Sequence, residues 1–155
     1  MPWGSTRWGA PYSFVVLLYV HVESKLSELC DTIRKARFLP IGSTDLRGSV
    51  LERTKRYLFR FASFQQGSAD WNAIDELTKV RDCIVHTNGN VRFSRDGEYL
   101  RRLVAAEGPD KLLIAQIPER DGDWLVIKEP YTLLLAKRVR EFFEAMKAEL
   151  TDHGA

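Results

Sequence analysis

The chain predicts an all-α fold: a bundle of four main helices, with a short additional helix and a small β-hairpin before the last one. Two observations carry this expectation. Long stretches place apolar residues three and four apart, the period of a helix that buries one stripe. Between them stand short breaks rich in Gly, Pro and Asn, and one Asp121–Gly122 pair between two apolar runs signals the hairpin.

The first helix is expected from about Ser13 to Lys35, where Phe14, Leu18, Val22, Lys25, Leu29 and Ile33 recur at helical spacing and Leu17, Leu26 and Cys30 widen the stripe. His21 falls on that face and reads as a core histidine. Phe14–Val22 is apolar-rich but far short of the ~20 residues a membrane span needs, and no charged leader with a cleavage site precedes it. Pro40–Ser43 breaks the chain. A second helix, about Leu46 to Phe64, buries Val50, Tyr57, Leu58 and Phe61, and sets Arg53, Arg56 and Arg60 on its other face. Gln65–Ser68 closes it, and Asp70 is placed to cap the third helix.

That third helix, about Asp70 to His86, is expected to bury Trp71, Ile74, Leu77, Ile84 and Val85, and Asn88–Asn90 ends it. A short helix over about Asp96–Ala106 stops at Gly108–Pro109. Strands over Leu112–Ile117 and Trp124–Ile127 follow, and the last helix, about Tyr131 to Leu150, buries Leu135, Val139, Phe142, Phe143 and Met146. The expected organisation is an irregular arm over 1–12, one helical domain over 13–150 and a fraying tail over 151–155.

Across 155 residues, 45% are hydrophobic and 28% charged, a balance that excludes a disordered chain. The net charge of +2 is too small to argue for nucleic acid by itself, so any such case rests on local clusters. Two cysteines, Cys30 and Cys83, make no disulfide framework, and a reducing, cytoplasmic setting is expected. With three histidines they form no metal-ligand spacing, so no metal or other cofactor is expected. Cys83 stands three residues from His86, but a small buried side chain is the reading preferred over a nucleophile.

Chemistry concentrates in Arg81-Asp82-Cys83-Ile84-Val85-His86. Arg81 falls near the centre of the expected apolar stripe, where a guanidinium must meet a carboxylate, a phosphate or another subunit. Asp82 and His86 stand four apart and share a face. A carboxylate beside an imidazole fixes its tautomer and suits it to acid–base work. Arg81 and His86 differ by about 7.5 Å of rise and about 140° of rotation, so one helix cannot aim both at one phosphorus. Two such helices about a two-fold axis can.

This segment resembles the HEPN domains, many of which are metal-independent ribonucleases. Their signature is an arginine, usually followed by a polar residue, with a histidine four to six residues further on. Arg81, Asp82 and His86 stand in that relation, and Leu77–Gly89 reads like the third helix of the bacterial members. The long first helix, Leu46-Arg47-Gly48 before the second, and the hairpin ahead of an aromatic-rich last helix are also similar, so the likeness covers roughly 14–150.

The resemblance implies a HEPN-like bundle that forms a homodimer through the motif helices and cleaves RNA by attack of the ribose 2′-hydroxyl on the adjacent phosphate. His86 would move the proton, Arg81 would stabilise charge on the phosphoryl oxygens and Asp82 would orient its neighbours. Asn88 would hydrogen-bond near the site, and Arg53, Arg56 and Arg60 would track the RNA backbone. Arg92, Arg95, Arg101 and Arg102 follow the motif and are further phosphate candidates. Many family members are toxins or phage-defence effectors held in check by an antitoxin or other partner. Some have lost catalysis and bind nucleotide or RNA, or scaffold a larger complex, and that is the alternative here.

Overall fold

The computed structural model describes residues 6–62 and 70–152. It is predominantly helical, with one antiparallel hairpin. In order the elements are α1 (Thr6–Ala36), α2 (Val50–Phe61), α3 (Trp71–Thr87), α4 (Gly97–Glu107), β1 (Leu112–Ala115), β2 (Trp124–Ile127) and α5 (Glu129–Asp152). Single 3-10 turns occupy Ser43–Asp45 and Val91–Phe93. The all-α class and the hairpin before the last helix are as expected. Residues 1–5, the closing turn Gln65–Ser68 and residues 153–155, His153 among them, lie outside the described residues. Among the described residues no helix is long and apolar enough to cross a membrane.

The chain divides into two compact units, Met1–Tyr19 with Trp71–Arg140 and Val20–Asp70 with Glu141–Ala155. The first contains the motif helix. Here α3 packs against α4 and the turn Val91–Phe93, and α4 lies on β1. The strands pair with Leu112 opposite Ile127 and Ala115 opposite Trp124. Leu77, Val80, Leu100, Leu112, Leu125, Tyr131 and Leu135 are fully buried, each Leu-sized side chain contributing about 1.5–3 kcal/mol.

The start of α1 departs from expectation. Gly9 and Pro11 argue for an irregular arm, yet the helix begins at Thr6 and carries Pro11 inside it. Tertiary anchoring prevails over propensity: Val15 is buried, and the Tyr12 hydroxyl donates to the Leu125 carbonyl. The buried stripe of α1 runs Val15, Tyr19, Val22, Leu26, Cys30, Ile33: its last four members are as expected, while Val15 and Tyr19 take the places expected for Phe14 and Leu18. Phe14, Leu17 and His21 are exposed, so His21 is no core histidine. An unbroken apolar run such as Phe14–Val22 supports two helical phases, and sequence spacing alone does not choose between them.

In the second unit α2 begins at Val50 rather than Leu46. Gly48 takes a left-handed φ of 114°, and Ser49 caps the helix. Its Oγ accepts from the Glu52 N–H at 3.3 Å, while Glu52 Oε2 accepts from the Ser49 N–H at 2.9 Å. Tyr57 and Leu58 are buried as expected, and Val50 and Phe61 only half-buried. The Tyr57 hydroxyl donates to the Ile41 carbonyl at 2.8 Å, closing the break after α1.

Candidate functional site

The end of α3 is pinned by its own backbone. Asn88 and Gly89 adopt φ of 55° and 83°, left-handed values that stop the helix, and the Gly89 N–H donates to the Cys83 carbonyl at 3.0 Å. The chain then zips onto β2. The Leu125 N–H donates to the Gly89 carbonyl at 2.8 Å, and the Val91 N–H to the Asp123 carbonyl at 2.7 Å. A Cβ on Gly89 would overlap the Tyr12 hydroxyl, so only glycine fits this crossing.

Asn90 locks the junction from inside. Its buried Oδ1 accepts from the N–H groups of Arg92 and Asp123, at 3.2 and 3.1 Å, and its Nδ2 donates to the Asp121 carbonyl at 3.4 Å. Asp123 in turn accepts from Arg101 Nη2 at 2.7 Å and Gln116 Nε2 at 3.3 Å, bonds that hold its carboxyl below the usual range. Arg92 pairs with Asp121 and Asp123. Arg92 and Arg101 are therefore engaged in holding the hairpin turn.

Arg81 is not at the centre of the buried stripe. That stripe runs Ala73, Ile74, Glu76, Leu77, Val80, Cys83, while Ile84 is half-buried and Val85 is 46% exposed. That face includes a buried carboxylate: Glu76 Oε2 accepts from the Tyr131 hydroxyl at 3.0 Å and from Arg138 Nη1 at 2.9 Å.

Arg81 lies on the flank, half-buried. Its Nη1 donates to Asp82 Oδ1 at 2.8 Å, and the guanidinium carbon sits 4.4 Å from the centre of the Tyr19 ring. Its Nε is buried without a hydrogen-bond partner. The expected carboxylate partner is thus the adjacent residue.

Asp82 and His86 line one cleft of about 350 Å³, together with Thr87, Phe93, Ser94, Arg95 and Asp96. The shared face is as the spacing predicts, but the carboxylate serves Arg81, with Arg95 Nη2 3.6 Å from its other oxygen. His86 is exposed at the cleft. Arg81 is not among the cleft's lining residues, and neither is Asn88, whose role here is to end the helix. Arg53, Arg56 and Arg60 belong to the second unit, where Arg56 Nη1 donates to the Arg47 carbonyl at 3.0 Å.

Cys83 is fully buried, and burial pushes its thiol up, which is the environment of an inert structural cysteine. Cys30 is likewise buried and pushed up to about 11.

Two groups of residues were not singled out by sequence reasoning. Phe93, Ser94 and Asp96 reach the cleft because the 3-10 turn after Asn90 folds back beside α3, which no local periodicity announces. The Glu76–Arg138 pair extends through Arg138 Nη2 to Glu107 Oε1 at 3.3 Å, and Glu107 Oε2 to Lys111 Nζ at 3.3 Å. Burial raises the Glu76 carboxyl, with Arg138 and the Tyr131 hydrogen bond acting against it. Among the described residues no three His, Cys, Asp or Glu side chains are grouped to hold a metal ion. Comparison with protein-family models, with curated proteins and with solved structures found no match to this chain.

Proposed function

We propose that the chain is a metal-independent endoribonuclease of the HEPN type, acting in the cytoplasm as a toxin or phage-defence effector under the control of an antitoxin or similar partner. The observation that carries this reading is an exposed imidazole at a cleft that it lines together with Asp82, the carboxylate bonded to Arg81. In the proposed reaction the ribose 2′-oxygen attacks phosphorus and the bond from phosphorus to the 5′-oxygen breaks. The 2′-hydroxyl loses a proton and the leaving 5′-oxygen gains one, with His86 as the carrier. Arg81 stabilises the charge that builds on the non-bridging oxygens, and Asp82 holds Arg81 in place.

One chain presents Arg81 against Tyr19 and His86 at the cleft, so the reading needs a second copy. Support comes from the apolar surface beside the motif: Leu17 and Val85 are exposed, and Tyr12, Ser13, Val16, Leu17 and Ile84 line a shallow groove. A homodimer through this surface would bring two such helices together.

The test is incubation of purified protein with single-stranded RNA in excess EDTA. Cleavage leaving 2′,3′-cyclic phosphate and 5′-hydroxyl ends is expected, reduced at least ~100-fold in His86→Ala. Equal cleavage by the variant and the parent would remove His86 from the mechanism. A non-catalytic module that binds RNA or scaffolds a complex is the second reading. It is favoured by one detail: Asp82 is bonded to Arg81 rather than to His86, so this carboxylate does not fix the imidazole tautomer. RNA binding lost in Arg81→Ala, with no cleavage by the parent, would select it.

A further inference from the structure

The cleft beside His86 carries groups that the proposed cleavage step does not use. Phe93 is 64% exposed, an aromatic ring presented to solvent from the 3-10 turn. Asp96 stands at the N-cap position of α4, where an aspartate ordinarily turns its carboxylate onto the first free N–H groups of the helix. It does not do so here: its side chain makes no cap hydrogen bond. The carboxylate lines the cleft at 18% exposure, with its nearest cation, Arg95 Nε, at 3.9 Å, beyond hydrogen-bond reach. The other carboxylate of the cleft, Asp82, already accepts a hydrogen bond from Arg81 at 2.8 Å.

These features select a kind of ligand. Two carboxylates in one small cleft repel a phosphate, so the anionic part of an RNA strand belongs outside it, at the rim, where Arg95 is 84% exposed. An exposed ring offers a stacking face for a base. A carboxylate with both oxygens unbonded accepts two parallel N–H groups. Guanine alone among the RNA bases presents two adjacent donors, N1–H and N2–H, on its pairing edge. Uracil sets carbonyl oxygens on both sides of its single N–H and would meet the carboxylate with repulsion. The cleft volume of about 350 Å³ suits one base rather than a duplex.

We infer that this cleft is a base-recognition subsite for single-stranded RNA, in which Phe93 stacks a guanine and Asp96 accepts hydrogen bonds from its pairing edge. The inference rests on the ribonuclease reading in taking RNA as the ligand, and it places a guanosine next to the phosphodiester that His86 faces. Thr87 and Ser94 complete the walls, and Arg95 takes the flanking phosphate.

The experiment titrates the full chain with guanosine 3′-monophosphate and uridine 3′-monophosphate, followed by calorimetry and by amide NMR shifts. Guanosine 3′-monophosphate should bind at least ~10-fold tighter and shift the amides of Phe93 to Asp96. Asp96→Asn keeps a residue able to cap α4 and should bring the ratio to about one. Phe93→Ala, at an exposed position, should weaken both nucleotides about tenfold. Equal affinity for the two nucleotides, no binding of either, or an undiminished preference in Asp96→Asn would each overturn the assignment. His86→Ala should keep the preference while losing cleavage. A protein that prefers guanosine 3′-monophosphate but never cuts RNA upholds the subsite and removes the ribonuclease reading.

Discussion

Helix α3 carries two charged clusters that resemble each other in sequence and differ in kind. At its middle, Glu76 is buried and part of a chain of bonds: Tyr131 and Arg138 both bond its Oε2, Arg138 reaches Glu107, and Glu107 reaches Lys111. At its end, Arg81 meets, among the described residues, its neighbour Asp82 and the Tyr19 ring, with a buried Nε left unbonded there, and His86 faces an open cleft. A closed network orients helices. An incompletely answered one beside a cleft is open to a ligand. A charge near an apolar stripe is thus not by itself a functional signal; what sets the second cluster apart is a buried polar atom, Arg81 Nε, left unbonded beside a cleft.

The sharpest way to break the comparison acts on the junction that holds the open cluster. Gly89→Ala forces a Cβ into a left-handed residue and against the Tyr12 hydroxyl. The combined strain and the lost Tyr12–Leu125 bond should cost ~2–3 kcal/mol of stability, read by urea unfolding, and lower any RNA cleavage with it. A variant as stable as the parent would show that the end of α3 is not pinned as described.

Arg138→Ala should come next. It strands a buried Glu76 beside Glu107 and is expected to cost about 2 kcal/mol, below the ~3–5 kcal/mol typical of broken buried pairs because Arg138 keeps 32% exposure. Arg81→Ala should cost less than about 1 kcal/mol, since its partner Asp82 retains Arg95 nearby. Comparable losses at the two arginines would erase the distinction between the clusters.

The smallest effect is in pH dependence. Burial raises the Glu76 carboxyl in the folded state, so its protonation favours folding. That contribution is complete below the usual glutamate pKa of about 4.3 and is lost as pH rises through the folded value. Asp123 has the opposite sign: its lowered carboxyl contributes above the usual aspartate range, and that contribution is lost as pH falls through the folded value. Unfolding measured from about pH 4 to 7 should show the parent losing stability with rising pH relative to Glu76→Gln. A flat or reversed difference would contradict the burial argument.

Much of the architecture was legible because helical periodicity is a strong signal over long stretches: α3, α4, β2 and α5 begin within two residues of where spacing places them. Phase was less legible than existence. In α1 the run Phe14–Val22 allows two stripes, and in α3 the core face includes Ala73 and Glu76, which size and polarity made easy to pass over. The start of α2 was available in Ser49-Val50-Leu51-Glu52, a capping box whose reciprocal bonds the structure contains. The cleft was only half legible. Asp82 and His86 follow from four-residue spacing, whereas Phe93 and Asp96 arrive by a chain reversal held by Asn90.

In the proposed reaction Arg81 and His86 serve one phosphodiester held between two copies of the chain. Mixing Arg81→Ala with His86→Ala tests it most directly, because each variant alone lacks one group in every copy. Exchange between them should restore RNA cleavage well above that of either variant alone, through mixed dimers holding one intact guanidinium and one intact imidazole. A mixture as inert as its components, beside an active parent that exchanges subunits, would contradict it.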